Sequence, residues 1–250
     1  MATPDYPYLC RFTHAEAARQ HEEELWEQSF RENVCCARAI EKELKACERN
    51  NDTVPAGCAA RVLEDYGHKR VAFVLAHTIL DMDKVPALRQ MIEPDVRAWA
   101  DGFHVPHDSE YGRYYCVDTA AVLLNGFARR TREAYQALGL FGQAHCSAGM
   151  YDGNVEGKVL VLSPDALKEG AWSPKNQLWL ATGGFGCDPK ASGRAIYATC
   201  LGDGEEARWN REDFRGVLDE QYLPEWAREK LEEIQAPIQD AVPVMGGLTL

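Results

Sequence analysis

The sequence predicts an α+β fold, in which an N-terminal helical bundle is followed by a small antiparallel β-rich module with a C-terminal helix. Apolar residues at helical spacing dominate residues 13–138, and short apolar runs bounded by turn residues dominate residues 158–210. The chain has 250 residues, of which 46% are hydrophobic, and this is enough to bury a sizeable core. We therefore predict a helical domain at 1–141, a linker at 142–157, a β-rich module at 158–235 and a flexible tail at 236–250.

The first predicted helix begins at Thr13. Thr13 and Glu16 have the spacing of a capping box, in which each side chain accepts a hydrogen bond from the other residue's amide. One long helix should then run to near Asn50, because apolar residues recur at spacings of four and three along it. Asn33 interrupts this apolar seam. It is either a buried amide that fixes the helix register or a polar residue at the rim.

Four further helices complete the predicted bundle. One begins at Thr53 and ends at Gly67, and the next follows at once with the sequence HKRVAFVLAHTILDM. This last segment is apolar around most of its circumference, which predicts a central position in the bundle. We interpret its His77 as a hydrogen-bonded core histidine. The remaining two helices are predicted at 94–99 and 118–138.

The β-rich module is predicted from four short runs and their turns. The runs lie at 159–162, 178–182, 194–201 and 205–209. The turn Gly202-Asp203-Gly204 joins the last two runs into a hairpin. Asn210 should then cap a short helical segment with Asp213 at its third position, and a helix should follow from Pro224.

The charge of the chain is distributed unevenly. The net charge is -12: residues 1–52 contain 11 acidic and 7 basic residues, residues 53–200 contain 16 and 15, and residues 201–240 contain 12 and 5. Binding to a phosphate backbone requires a basic surface, so direct nucleic-acid binding is disfavoured and a basic protein partner is favoured. The alternative is that the acidity only keeps the protein soluble.

Six acidic residues near the C-terminus are the predicted partner-binding set. They are Glu205, Glu206, Glu212, Asp213, Asp219 and Glu220. The N-terminus has neither a basic start nor an apolar segment typical of a signal peptide, and no apolar run approaches the roughly 20 residues that span a bilayer. We therefore expect a cytoplasmic protein that does not enter the membrane.

The nine cysteines are expected to be reduced, since their number is odd and they are scattered along the chain. Cys187, in a glycine-rich loop, is the best candidate for an exposed nucleophile, and His145 could act as its base if the fold brings the two together. The alternative is a cysteine that packs in a turn. His104 and His107 have a weak metal-like spacing, and ordinary surface histidines are the alternative. No cofactor is predicted.

A basic group beside a tryptophan is the candidate ligand-binding site. Arg194, Arg208 and Arg211, with Trp209, are suited to holding an anion or stacking on a base. The alternative is that these arginines form surface ion pairs with neighbouring acidic residues.

Three sequence segments resemble a known family. RENVCCARAIEKEL, EDYGHKRVAFVLAHTI and RAWADGF are similar to a domain of unknown function, family 3849, found in proteins of conjugative and other mobile elements of anaerobic bacteria. The resemblance covers about residues 5–140. The stretch from GKVLVLSP to LPEWA resembles the region that often follows that domain. The resemblance implies an accessory role in element transfer or in countering host defence. It implies no specific activity, because none is established for the family.

Two functional hypotheses follow from these observations. The leading one is a non-enzymatic adaptor or anti-defence inhibitor that engages a basic protein partner through its acidic surface, with carboxylates where phosphates would lie. The competing one is a cysteine- or arginine-dependent enzyme, or a sponge, that acts on a nucleotide ligand.

Overall fold

The computed structural model describes residues 9, 12–48, 54–106 and 111–235. As predicted, the described chain is α+β: a helical region is followed by a six-stranded antiparallel sheet and a C-terminal helix. The contacts divide the chain into a helical unit, Met1–Gly139 with Lys168–Ala171, and a sheet unit, Leu140–Leu167 with Trp172–Leu250. The predicted tail at 236–250 lies outside the described residues.

The helical unit is built around one central helix. Its described helices are α1 (His14–Arg19), α2 (Glu23–Glu48), α3 (Ala56–Tyr66), α4 (His68–Asp83), α5 (Pro86–Arg89), α6 (Pro94–Ala100) and α7 (Ala121–Ala137). The predicted central position of α4 is confirmed, since it packs against α2, α3, α5, α6 and α7. His77 on α4 is buried, and its Nδ1 lies 3.3 Å from the Cys116 sulfur, as expected for a hydrogen-bonded core histidine.

The capping box at the start of α1 is confirmed. The Glu16 amide donates to Thr13 Oγ1 at 3.2 Å, and the Thr13 amide donates to the Glu16 carboxylate at 2.8 Å. These bonds satisfy two amides that have no partner within the helix.

The prediction of one long helix after Thr13 is wrong, because α1 and α2 are separate. His21 has a φ of +59°, in the left-handed region, and its amide donates to the Ala18 carbonyl at 3.2 Å. The Glu22 amide donates to the Ala17 carbonyl at 2.9 Å. This pair of bonds is a Schellman motif, which ends α1 and lets the chain start α2 in a new direction.

Asn33 is a buried residue in the apolar seam of α2, as the first of the two interpretations proposes. It is fully buried, and its carbonyl oxygen accepts a hydrogen bond of 2.6 Å from Arg70 on α4. Arg70 is also buried and forms an ion pair of 2.5 Å with Glu32. The amide and the carboxylate therefore compensate a guanidinium placed between two helices.

The sheet unit contains strands β1 (Cys146–Ala148), β2 (Val159–Leu162), β3 (Leu178–Gly183), β4 (Ala195–Cys200), β5 (Glu206–Asn210) and β6 (Phe214–Leu218), with helices α8 (Pro174–Gln177) and α9 (Glu225–Gln235). The strand order is β1-β6-β2-β3-β4-β5. The strands predicted at β2 to β5 are confirmed, and β1 and β6 were not predicted. The segment 142–157, which we predict as a linker, contains β1.

Both faces of the central strands are buried. Leu160, Trp179 and Ala181 point into one core, whereas Val161, Leu178 and Leu180 point into the other. Helix α9 packs its apolar side into the second core. Because alternate residues of a strand lie on opposite faces, the sheet has α9 on one side and connecting loops on the other.

No helix within the described ranges is both long enough and apolar enough to span a membrane.

Candidate interaction surface

The outer side of α9 is acidic. Its apolar side, which packs on the sheet, comprises Trp226, Ala227, Leu231 and Ile234. On an α-helix, residues three and four apart share a face, so the exposed residues Glu225, Glu229, Glu232 and Glu233 lie together on the side turned away from the sheet. The folding of α9 onto the sheet therefore presents a row of carboxylates.

The β4–β5 hairpin adds three more carboxylates: Asp203, Glu205 and Glu206, all exposed. The Asp203 carboxylate accepts a hydrogen bond of 2.9 Å from the Glu205 amide, and this bond lowers the pKa of Asp203 below its ordinary value. A Cβ added to Gly204 would lie 3.7 Å from Lys230 Cε, which places the hairpin next to α9. We call the seven carboxylates of α9 and the hairpin the acidic face.

Most of the acidic face is free of compensating cations. Glu233 forms an ion pair of 3.0 Å with Lys230. In contrast, Glu205, Glu206, Glu225, Glu229 and Glu232 form no ion pair within the part of the chain that the structure describes. Exposed carboxylates without paired cations produce a negative potential over this surface.

The structure brings only two of the six predicted partner-binding residues, Glu205 and Glu206, into the acidic face. Glu212 forms an ion pair of 2.8 Å with Arg194, and Asp213 accepts a hydrogen bond of 2.7 Å from the Asn210 amide. Asp219 caps a short 3-10 helix by accepting from the Gln221 amide at 3.1 Å. Glu220 lies exposed in that short helix. Three of the six acids are thus engaged in local structure.

Sequence reasoning missed the four glutamates of α9. Glu225, Glu229 and Glu232 are spaced by four and three residues, which is the spacing of one helix face. A search of the predicted helix for its charged face, as well as for its apolar face, would have found them.

Arg211, from the predicted ligand-binding set, is a structural residue. It is buried, and its guanidinium donates to the carbonyls of Gly186 at 2.8 Å and of Phe185 at 3.4 Å, and also to that of Asp188. These bonds satisfy carbonyl groups of the glycine-rich loop, which are not paired by the hydrogen bonds of a regular helix or strand. Arg211 therefore fixes the loop and is not available to a ligand.

The side chains of the other members of that set have different partners and directions, although the Arg194 carbonyl accepts from the Arg211 amide at 2.8 Å. Arg194 is paired with Glu212. Trp209 packs its ring edge-on against Trp179, with centroids 5.2 Å apart, in the core on the loop side of the sheet. Arg208 directly precedes Trp209 on β5, so its side chain points to the opposite face of the sheet, where it is exposed. The side chains of these residues therefore do not converge on one point of the sheet unit.

Cys187 is not the exposed nucleophile that its loop suggested. Its side chain is 2% exposed, and its sulfur donates to the Gly183 carbonyl at 3.2 Å. Burial raises the pKa of the thiol above its ordinary value, which lowers the fraction of reactive thiolate. His145 accepts a hydrogen bond from the Gly142 amide at 2.9 Å and packs against Phe141. The two side chains are engaged in separate local contacts.

Only one of the two histidines with the metal-like spacing lies in the described residues. His104 is exposed, and His107 lies outside the described residues. Among the residues whose positions are described, no group of three or more His, Cys, Asp or Glu side chains is arranged to hold a metal ion.

Comparison with known proteins gives one match. The profile of a family described as "Protein of unknown function (DUF3849)" matches residues 9–136, which is about half of the chain and lies within the helical unit. No curated protein and no solved structure gives a match.

Proposed function

The chain belongs to the family of proteins of unknown function DUF3849, and from this premise we propose that it is a non-enzymatic binding protein that engages a basic protein partner through the acidic face. The family match lies in the helical unit, whereas the acidic face lies in the sheet unit. On this proposal, the sheet unit supplies the binding surface that accompanies the family domain.

The observation that carries the proposal is that Glu225, Glu229 and Glu232 on α9 form no ion pair with any described residue. Glu229 lies one turn from both Glu225 and Glu233, and like charges at this spacing destabilise a helix by about 0.2–0.5 kcal/mol per pair. Glu232 and Glu233 also lie near the negative end of the helix dipole, where carboxylates are unfavourable. A charge pattern that weakens its own helix supports a role in binding, because a basic partner would relieve the repulsion between the carboxylates.

We further propose a setting for this binding. As the resemblance to proteins of mobile elements implies, the protein would act in the cytoplasm as an adaptor or as an inhibitor of host defence. The carboxylates of the acidic face would occupy a groove that normally binds nucleic acid, where they take the place of phosphates. Inhibition by this route needs no catalytic residue in the sheet unit.

The proposal is tested with a defined basic probe. A fluorescent peptide of alternating Lys and Ser is mixed with the full chain, and the association rate is measured in 0.1 M and 1 M NaCl. The Debye length falls from about 10 Å to about 3 Å between these conditions, so association should slow steeply. Replacement of the five unpaired glutamates by Gln should slow association in 0.1 M NaCl by about tenfold.

The matched control removes the same charge elsewhere. Five exposed acids of the helical unit that form no ion pair among the described residues are replaced by Gln or Asn. They are Glu23, Glu24, Glu64, Asp65 and Asp101. This variant has the same net charge as the α9 and hairpin variant. Equal slowing in both variants, or association indifferent to salt, would contradict the proposal.

A further inference from the structure

A cleft of about 720 Å³ lies in the sheet unit between α9 and the ends of β2 and β6. This volume falls within the range of about 300–1,000 Å³ that is typical of small-molecule sites. Its apolar lining consists of Val159, Val217, Leu218, Leu223 and Leu231. The cleft therefore offers an apolar floor that would bury the body of a small ligand.

Two cations line the same cleft. They are Lys158, directly before β2, and Arg228 on α9. Neither forms an ion pair with any described residue, although the sheet unit is acidic and Glu232 lies one turn after Arg228. Arg228 lies beside the acidic face on α9 but belongs to the side that borders the cleft. Two unpaired cations over an apolar floor are complementary to an amphipathic anion.

The backbone fixes the position of Lys158. Its amide donates to the Val155 carbonyl at 3.1 Å, and its carbonyl accepts from the Ala181 amide at 3.0 Å. The main chain of Lys158 is thus held at the sheet while its exposed side chain remains free. The Arg228 amide donates to the Pro224 carbonyl at 3.0 Å in the first turn of α9. Both cations are therefore attached to ordered elements.

Two carboxylates also line the cleft, and they differ in availability. Asp219 accepts hydrogen bonds of 3.1 Å from both the backbone and the side-chain amide of Gln221, so its oxygens are engaged. The Glu220 side chain is exposed, and its carboxylate forms no hydrogen bond or ion pair within the described ranges. Its negative charge repels an anion in the cleft. Neutralisation of Glu220 should therefore strengthen the binding of an anion.

We propose that this cleft binds a small amphipathic anion, with a carboxylate or phosphate head at Lys158 and Arg228 and an apolar body on the floor. The site is independent of the proposed function, since neither cation belongs to the acidic face. The head is recognised by charge-assisted hydrogen bonds, and the body is held by burial of apolar surface.

Calorimetry on the full chain tests the proposal with four probes that share one alkyl chain: octanoate, octyl phosphate, octanol and octylamine. At least one of the two anions should bind, about tenfold more tightly than octanol and octylamine, because only an anionic head accepts charge-assisted hydrogen bonds from the two cations. The anion that binds more tightly identifies the preferred head group. Absence of binding by both anions, or equal binding of octylamine, overturns the proposal.

Variants show whether the named cations are responsible. Lys158→Gln and Arg228→Gln should each weaken anion binding by about tenfold, and Glu220→Gln should strengthen it by about twofold. The matched controls are Lys190→Gln and Arg208→Gln, which alter exposed cations of the same unit that do not line the cleft. Equal losses in the cleft variants and the controls, with unchanged melting temperatures throughout, would overturn the assignment.

Discussion

The two units of this protein use charged residues in different ways. In the helical unit, ion pairs join one helix to another: Glu43–Arg61, Asp83–Arg97 and Asp95–Arg132. In the sheet unit, Asp203, Asp213 and Asp219 accept backbone hydrogen bonds in turns and caps, and the glutamates of the acidic face remain exposed. The pairing of charges, more than their number, therefore separates a structural acid from one available to a partner.

The buried arginines show the same contrast. Arg70 in the helical unit bonds mainly to the side chains of Asn33, Glu32 and Ser29, with one bond of 3.3 Å to the Ser29 carbonyl, whereas Arg211 in the sheet unit bonds to loop carbonyls. Helices satisfy most of their own carbonyls, so a buried guanidinium between helices needs side-chain partners. An irregular loop leaves carbonyls open, and one arginine can satisfy several of them.

Thiol reactivity should follow burial in both units, and this prediction involves the largest effect. Burial raises the pKa of Cys36 to about 12 and also raises that of Cys187. At pH 8, a thiol with a pKa of about 12 has about a thousandfold less thiolate than an ordinary one. Iodoacetamide should therefore label the exposed Cys35 long before Cys36 or Cys187, as measured by mass spectrometry. Labelling of Cys187 as fast as Cys35 would restore it as a nucleophile.

Replacement of the sheet unit's buried arginine should cost the most stability. Arg211→Met leaves the carbonyls of Gly186 and Asp188 without their donor, and each unsatisfied buried group costs about 1–3 kcal/mol. We expect a loss of about 3 kcal/mol in the free energy of unfolding of this unit, measured in urea. Arg211→Lys should recover only part of this loss, since an ammonium lacks the fork of donors. A loss below 1 kcal/mol for Arg211→Met would contradict the structural role.

In the helical unit, Asn33→Leu removes the amide that accepts from Arg70. We expect a loss of about 2 kcal/mol, because a buried charge loses a hydrogen-bond acceptor. Glu32→Gln is the comparison, since the Glu32 side chain is 40% exposed and its ion pair is partly screened by solvent. It should cost less than about 1 kcal/mol. Equal losses would show that Asn33 has no special role in holding Arg70.

Neutralisation on the acidic face should have the smallest effect, and its sign is opposite. Glu229→Gln relieves repulsion with Glu225 and Glu233 and should raise stability by about 0.5 kcal/mol in low salt. The gain should vanish in 1 M NaCl, where charges are screened within about 3 Å. The control Glu64→Gln on α3 should give no gain, since no carboxylate lies three or four residues from Glu64. A gain at Glu64 as large as that at Glu229 would remove the distinction between the units.

The sequence allowed much of the fold to be predicted, because four strands and most helices have clear apolar patterns and turn residues. Strand β1 has only three residues, and β6 has the sequence FRGVL, interrupted by Gly216. A Cβ at Gly216 would lie 2.5 Å from the Ala148 carbonyl, so this glycine is explained only by the pairing of β6 with β1. The break between α1 and α2 depends on the left-handed backbone conformation of His21, which the residue type does not predict.

The candidate surface was less predictable for a related reason. The negative charge of the C-terminal region and the hairpin acids Glu205 and Glu206 follow from the sequence. Which acids are free depends on tertiary contacts: Arg194 is distant from Glu212 in sequence, and their ion pair appears only in the folded sheet unit. The cleft beside α9 combines residues from four separate segments, and no local pattern indicates it.

Among the strands of the described residues, β5 lies at the edge of the sheet and pairs only with β4. One side of its backbone is therefore open to pairing with a second copy of the chain, a common start of aggregation. Glu206, Arg208 and Asn210 are exposed along this strand, so a second copy paired in parallel and in register would place Glu206 against Glu206 and Arg208 against Arg208. The charges of β5 thus oppose this pairing between copies, whatever the acidic face binds.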